Sequence, residues 1–171
     1  MSDAHSLSSK LVPMPRTQET RDQICTLIDT TEVFSDLQWP QIRILATYLD
    51  AYQAPAGTVV FREGDPGNFA CFILEGRVDI YREDAHHERK TVISLGAGKF
   101  LGETSAFDED ARSATAVVAK ATILLILTRE HFLRISNEEP ALAINLLIKW
   151  ARTLSQRLRR AGGMLIEHLH D

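Results

Sequence analysis

The sequence predicts a mainly β domain, a sandwich or barrel, flanked by helices, and three observations predict it. Six short runs rich in β-branched and aliphatic residues lie between Thr58 and Leu127, punctuated by glycine-bearing turns. Helical periodicity occupies the chain on both sides of them. Finally, 171 residues that are 44% hydrophobic and 25% charged supply the core of one globular domain with appendages.

Taken in order, residues 1–16 are rich in Ser and Pro without periodicity and read as a flexible tail. From Gln18 to about Thr30, Ile24, Cys25, Leu27 and Ile28 predict a short helix, followed by an apolar knot at Val33, Phe34 and Leu37. A second helix starts near Pro40, whose missing N–H costs nothing there, and Ile42, Leu45, Ala46 and Leu49 mark its buried face. The β-runs are Thr58–Phe61, Ala70–Leu74, Arg77–Tyr81, Thr91–Leu95, Ala114–Ala119 and Ile123–Leu127. Glu75-Gly76 is the hairpin candidate among the turns, and the charged segment Arg82–Lys90, with His86 and His87, reads as a solvated loop. Helical texture returns at Arg129–Ser136, and a long helix is expected from Pro140 to about Ala161. On it Leu147, Ala151, Leu154, Leu158, Ala161 and Leu165 alternate spacings of four and three, the seam of a helix that pairs with another. Gly162-Gly163 is expected to interrupt or loosen that helix. The expected divisions are a tail over 1–16, a β-barrel domain with N-terminal helices over 17–136, and a C-terminal helix over 137–171.

Composition excludes several classes. A formal net charge of −4 opposes non-specific nucleic-acid binding, which needs a basic face to displace counterions. Cys25 and Cys71 form no C-x-x-C pair, so neither a disulfide framework nor a zinc site is indicated, and a cytoplasmic protein is the simplest reading. No signal peptide and no run of about 18 apolar residues is present, so membrane insertion is not expected. His86-His87 and the pair His168 and His170 have no ligand geometry, and no G-x-S-x-G, H-E-x-x-H or Walker sequence offers a catalytic group.

Chemistry concentrates between Lys99 and Ala116. A helix starting near Gly102 would aim free N–H groups at an anion, and glycine admits close approach to the backbone. Glu103 only accepts hydrogen bonds, so its partner is a donor such as a sugar hydroxyl. Arg112 offers a fork of donors that fits two phosphate oxygens, with Ser113 and the N–H of Ala114 beside it. The alternative from the residues alone is a Glu103–Arg112 surface ion pair, worth about 0 to 1 kcal/mol.

This stretch resembles the phosphate-binding cassette of the cyclic nucleotide-binding domain family, a G-E pair followed by a short helix and an R-[ST]-A triplet. Phe61–Pro66, Phe72–Val78 and Leu95–Phe100 resemble the family's strand and turn signatures in the family's order, and Leu27–Gly57 its N-terminal helical segment. The likeness covers about Ile24 to Ala161. It implies a jelly-roll, or double-stranded β-helix, barrel that holds the nucleotide, with the long C-terminal helix as lid and dimerisation element. It nominates Gly102, Glu103, Thr104, Arg112, Ser113 and Ala114 as ligand-binding residues, Thr104 standing where relatives carry an aliphatic residue. Where catabolite activators present a Thr-Ser pair to the base this chain has Arg157-Leu158, and Arg157, with Arg160 second, is the candidate base contact; the solvated face of the helix is the alternative. Ser113 leans toward cAMP over cGMP as ligand. The implied function is a non-catalytic cyclic nucleotide sensor without a cofactor or metal, homodimeric through its C-terminal helix and acting on an effector protein in trans. Too few residues follow Ala161 for a helix-turn-helix, so direct DNA binding is not expected. The competing reading is a degenerate fold kept as a ligand-free dimerisation or docking module.

Overall fold

The computed structural model describes residues 10–83, 89–104 and 110–168. It divides into two compact units, the first ending at Phe132 and the second starting at Leu133. The first unit contains β1 (Val12–Pro13), α1 (Gln18–Asp29), a 3-10 turn (Glu32–Phe34), α2 (Trp39–Ala46), β2 (Asp50–Ala54), β3 (Val59–Phe61), β4 (Phe69–Glu83), β5 (Arg89–Gly96), β6 (Phe100–Leu101) and β7 (Thr115–Thr128). Then come α3 (Arg129–Glu138), which crosses the boundary, and α4 (Pro140–His168). Mainly antiparallel β with flanking helices is the class the sequence predicts.

Local chemistry starts both N-terminal helices. The Thr17 hydroxyl accepts from the Thr20 N–H at 3.2 Å to cap α1, and Gln41 reaches back to the Gln38 N–H at 2.8 Å at the start of α2. Cys25 and Ile28 of α1, and Ile42 and Leu45 of α2, are buried as the periodicity requires. Phe34, from the apolar knot, packs on Phe72 at 5.0 Å between centroids, and Phe72 on Phe100 at 6.1 Å. That aromatic chain ties the helical segment to β4 and to β6, the strand that leads into Gly102.

The strands form one antiparallel sheet in the order β1-β2-β7-β4-β5, with β3 also on β7 and β6 also on β4. β4 and β7 are its spine, paired from Phe69↔Thr128 to Tyr81↔Thr115. Cys71, Ile73, Val78, Ala116, Val118, Leu124 and Ile126 from these strands line the core with Val60, Phe61, Phe69 and Leu101. Each fully buried aliphatic side chain of this kind contributes about 1.5 to 3 kcal/mol.

Several expectations change. Glu75-Gly76 is no hairpin: β4 runs straight through it, with register shifts between Ile73 and Val78. Gly76 has φ +91°, and a Cβ there would lie 2.3 Å from Thr122 Oγ1 and 2.4 Å from the Ala121 carbonyl. The glycine is therefore a bulge that lets β7 cross closely, and the Arg77 N–H donates to Thr122 Oγ1 at 3.1 Å across it. For the same reason Ala114–Ala119 and Ile123–Leu127 belong to a single strand. β4 extends to Glu83 and β5 begins at Arg89, so both ends of the expected loop Arg82–Lys90 are strand, and His86-His87 lies outside the described residues. The end of the presumed tail is part of the sheet: Val12 pairs with Gln53, Leu11 is buried in the core, and Arg16 bonds Asp50 at 2.5 Å. α4 continues through Gly162-Gly163 without a break. Trp150 is buried, whereas Trp39 is 44% exposed.

In the second unit, Leu142, Ala143, Leu146 and Trp150 of α4 are buried at helical spacing. Ile144, Leu147, Ile148, Leu154 and Leu158 are exposed, Leu158 at 73%. Leu147, Leu154 and Leu158 belong to the seam seen in the sequence; the Leu165 side chain lies outside the described residues.

Candidate functional site

Glu103 and Arg112 are both only 2% exposed, which excludes the exposed ion pair as a description of them. β6 delivers the first. Phe100 and Leu101 pair with Phe72 and Cys71 of β4, and Gly98 and Lys99 exchange backbone bonds with Ile73 at 2.8 and 2.9 Å, so the chain leaves the sheet at a fixed place. Gly102 follows with φ +74°, and Glu103-Thr104 begin a helical segment. The rest of the helix expected across the cassette falls on residues outside those described.

Arg112, in the segment that leads into β7, is held from the other side by the loop after β3. Its N–H donates to the Asp65 carbonyl at 2.8 Å, its carbonyl accepts from the Gly64 N–H at 2.9 Å, and Pro66 bridges Ala111. The loop is itself closed by the Asp65 carboxylate, which accepts from the Arg62 N–H at 2.8 Å. Phe61–Pro66, recognised in the sequence only as a strand and turn, is thus the splint for the arginine.

The two terminal nitrogens of the guanidinium are both engaged, and two rings flank it. Nη1 donates to the Gly102 carbonyl and Nη2 to the Phe69 carbonyl, each at 2.8 Å. Cζ lies 4.3 Å from the centroids of both Phe61 and Phe69. A Cβ on residue 102 would stand 2.6 Å from Nη1 and 3.2 Å from the Phe61 ring, so the bare Cα of Gly102 is needed by Arg112 itself, whatever else approaches it.

Burial lowers the Arg112 pKa from its usual value, and the nearby Cys71, Asp65 and Glu103 oppose that shift. Even a lowered guanidinium stays protonated at neutral pH. The Cys71 thiol is pushed up to about 12, chiefly by burial, with Glu103 adding to the rise and Arg112 opposing it. Cys71 is therefore an inert core thiol beside the charged pair. Chemically, the arrangement joins a buried cation with fork geometry to a buried acceptor at a glycine turn, a donor set that fits an anionic phosphodiester next to a hydroxyl.

The structure brings together Gly102, Glu103 and Arg112 of the residues nominated in the sequence. Thr104 and Ser113 are exposed and Ala114 half-buried, next to them in the chain. Arg157 is half-buried and Arg160 exposed, both on α4 in the second unit. Sequence reasoning missed Phe61, Asp65 and Phe69. The ordered run Phe61–Pro66 could have flagged the first two, and nothing in the sequence marks the third. Among the described residues no group of three or more His, Cys, Asp or Glu could hold a metal ion, and no helix is long and apolar enough to cross a membrane.

Residues 52–139 match the family model described as the cyclic nucleotide-binding domain. The cyclic AMP receptor protein of Thermus thermophilus is 33% identical over 129 residues, which are 75% of this chain and 58% of that protein. A cyclic nucleotide-gated potassium channel of Rhizobium etli is 39% identical over 89 residues, 52% of this chain and 23% of the channel. This chain therefore spans less than two thirds of the length of these curated relatives. Among solved structures, a cyclic nucleotide-binding domain from Methylobacillus flagellatus superposes with a TM-score of 0.79 at 27% identity, covering 92% of this chain and 88% of that one. These likenesses agree with the jelly-roll fold of the first unit.

Proposed function

This chain belongs to the cyclic nucleotide-binding domain family, and from that premise we propose that it is a non-catalytic sensor of a cyclic nucleotide, cAMP first, that acts on an effector protein in trans. The observation that carries the reading is the buried meeting of Glu103, Gly102 and Arg112. Burying a cation and a carboxylate costs several kcal/mol per ion unless interactions compensate, so a protein that keeps both has a use for them. In this reading Glu103 accepts from the ribose 2′-hydroxyl, while Arg112, Ser113 and the Ala114 N–H take the phosphate. Thr104 lies against the same ligand, and Arg157 stacks on or bonds the base. The names of the two relatives, a cyclic AMP receptor protein and a cyclic nucleotide-gated channel, support the ligand class. Ser113 favours cAMP over cGMP.

Homodimerisation through α4 belongs to the same proposal. Ile144, Leu147, Leu154 and Leu158 are exposed apolar residues at alternating spacings, with Ala151 completing the row, as a paired helix requires. Ligand capture would act on the effector by favouring one arrangement of the cassette and the helix over another, and only a difference in nucleotide affinity between the two drives such a shift. Direct DNA binding is not part of the reading.

A second reading has an observation behind it. The Arg112 fork already serves the Gly102 and Phe69 carbonyls, as it would in a fold kept only for docking. Calorimetric titration with cAMP, cGMP and cyclic dinucleotides separates the two. Binding of cAMP well below millimolar concentration supports the sensor, and no binding of any of them below millimolar overturns it in favour of the docking module.

A further inference from the structure

The two rings around Arg112 have no counterpart in the cassette motif, and their geometry gives them a task. Phe61 ends β3, paired with Ala116, and Phe69 begins β4, paired with Thr128, so two different strands supply them. Their centroids are 6.2 Å apart with planes inclined at 67°, and each lies 4.3 Å from Cζ of Arg112. Those three distances place the rings at close to a right angle about the guanidinium, as a corner. Phe61 is 6% exposed and Phe69 2%, so the corner is dry.

We infer that Phe61 and Phe69 are positioning residues that fix the Arg112 fork and thereby set which exocyclic oxygen of a cyclic phosphodiester it recognises. The inference rests on the reading of the site given above. A ring face attracts a cation through its quadrupole and offsets burial without contributing a negative charge, so the fork keeps its full charge toward an anionic ligand. A carboxylate in the same place would offset burial equally well and compete with the phosphate. The corner also removes rotamers. Arginine otherwise has a long flexible stem, and a fork that must be ordered on binding follows the ligand and discriminates poorly. With Gly102 and Phe69 carbonyls on its edges and two rings on its flanks, the guanidinium can hand over its N–H bonds to a phosphate without leaving its slot.

The phosphorothioate diastereomers of cAMP differ only in which exocyclic oxygen is replaced by sulfur, and they read this rigidity directly. The wild-type chain is expected to bind one diastereomer at least tenfold more tightly than the other. Phe69→Leu keeps an apolar side chain and removes the ring face. It is expected to weaken cAMP binding by about tenfold, within the range a desolvated cation–π contact gives, and to bring the ratio between diastereomers toward one. Phe61→Leu carries the same expectation from a different strand, so misfolding of one variant leaves the other to decide, and Phe61→Tyr, which keeps a ring, should keep the ratio. Thermal melting of each variant accompanies the titrations. A lowered melting temperature with the wild-type ratio intact would mean that the rings only pack, and overturns the inference while leaving the sensor reading in place. A wild-type chain that binds no cyclic nucleotide overturns the sensor reading, and this inference with it.

Discussion

The rolled sheet and the second half of α4 handle charge and apolar surface in opposite ways. In the sheet, Arg112 and Glu103 are buried, and the guanidinium meets two carbonyls and two rings of the same unit. From Lys149 to Gly163 on α4, five cations (Lys149, Arg152, Arg157, Arg159 and Arg160) occur without one acidic residue. Leu154 and Leu158 stand exposed among them. The first region is determined by contacts within the chain. The second keeps apolar surface at Leu154 and Leu158 open to solvent, the surface that the proposed pairing of α4 would use. A binding site that must select a small ligand gains from preorganisation, whereas a surface that reports to another molecule gains from being left open.

The largest expected effect tests the first half of that contrast. Arg112→Ala should cost about 2 to 5 kcal/mol of cyclic nucleotide affinity, as loss of one member of a buried charged pair does. Titration calorimetry with cAMP reads it, and an unchanged affinity would move the phosphate site away from this arginine. Next comes Gly76→Ala. The left-handed backbone there costs a non-glycine residue about 1 to 3 kcal/mol, and overpacking against Thr122 and Ala121 about as much again. Denaturant unfolding should show the sum as lost stability, and a variant as stable as the parent would mean that β4 and β7 can separate at the bulge.

How much of this was legible in the sequence follows the same division. The helices at Gln18–Asp29 and Trp39–Ala46 and the existence of the β-runs were readable, because periodicity and burial agree there. The continuity of β4 and β7 was not. Glycine reads locally as a turn, and only the partner strand's approach shows that Gly76 is a bulge. Leu11–Pro13 has the texture of a tail because a two-residue strand has no period to detect, while its pairing with β2 is a long-range property. At the site, Gly102, Glu103 and Arg112 were visible as a motif, since each type is tied to one chemical task. Phe69 was not, because a core phenylalanine and one flanking a cation look alike until the arginine is placed.

On α4 the effects should be smaller and of a different kind. Leu154→Glu should produce monomers in sedimentation, because it puts a charge where about 1.5 to 3 kcal/mol of leucine burial per helix would hold a pair together. The melting of the sheet should stay as it was. Persistent dimers would place the interface on another surface and break the contrast drawn above. The smallest effect should have the opposite sign. Gly162 and Gly163 sit within the helix, and a Cβ on either would meet nothing within 4 Å. Each replacement by alanine should therefore stabilise the helix by about 1 kcal/mol, seen as increased helicity by circular dichroism with nucleotide affinity unchanged. At Gly76 the missing side chain is required by a neighbouring strand; at Gly162-Gly163 nothing among the described residues within 4 Å requires it. If the alanines instead weaken the protein, a second molecule approaches those bare backbones closely, and the open half of α4 is already committed to a partner there.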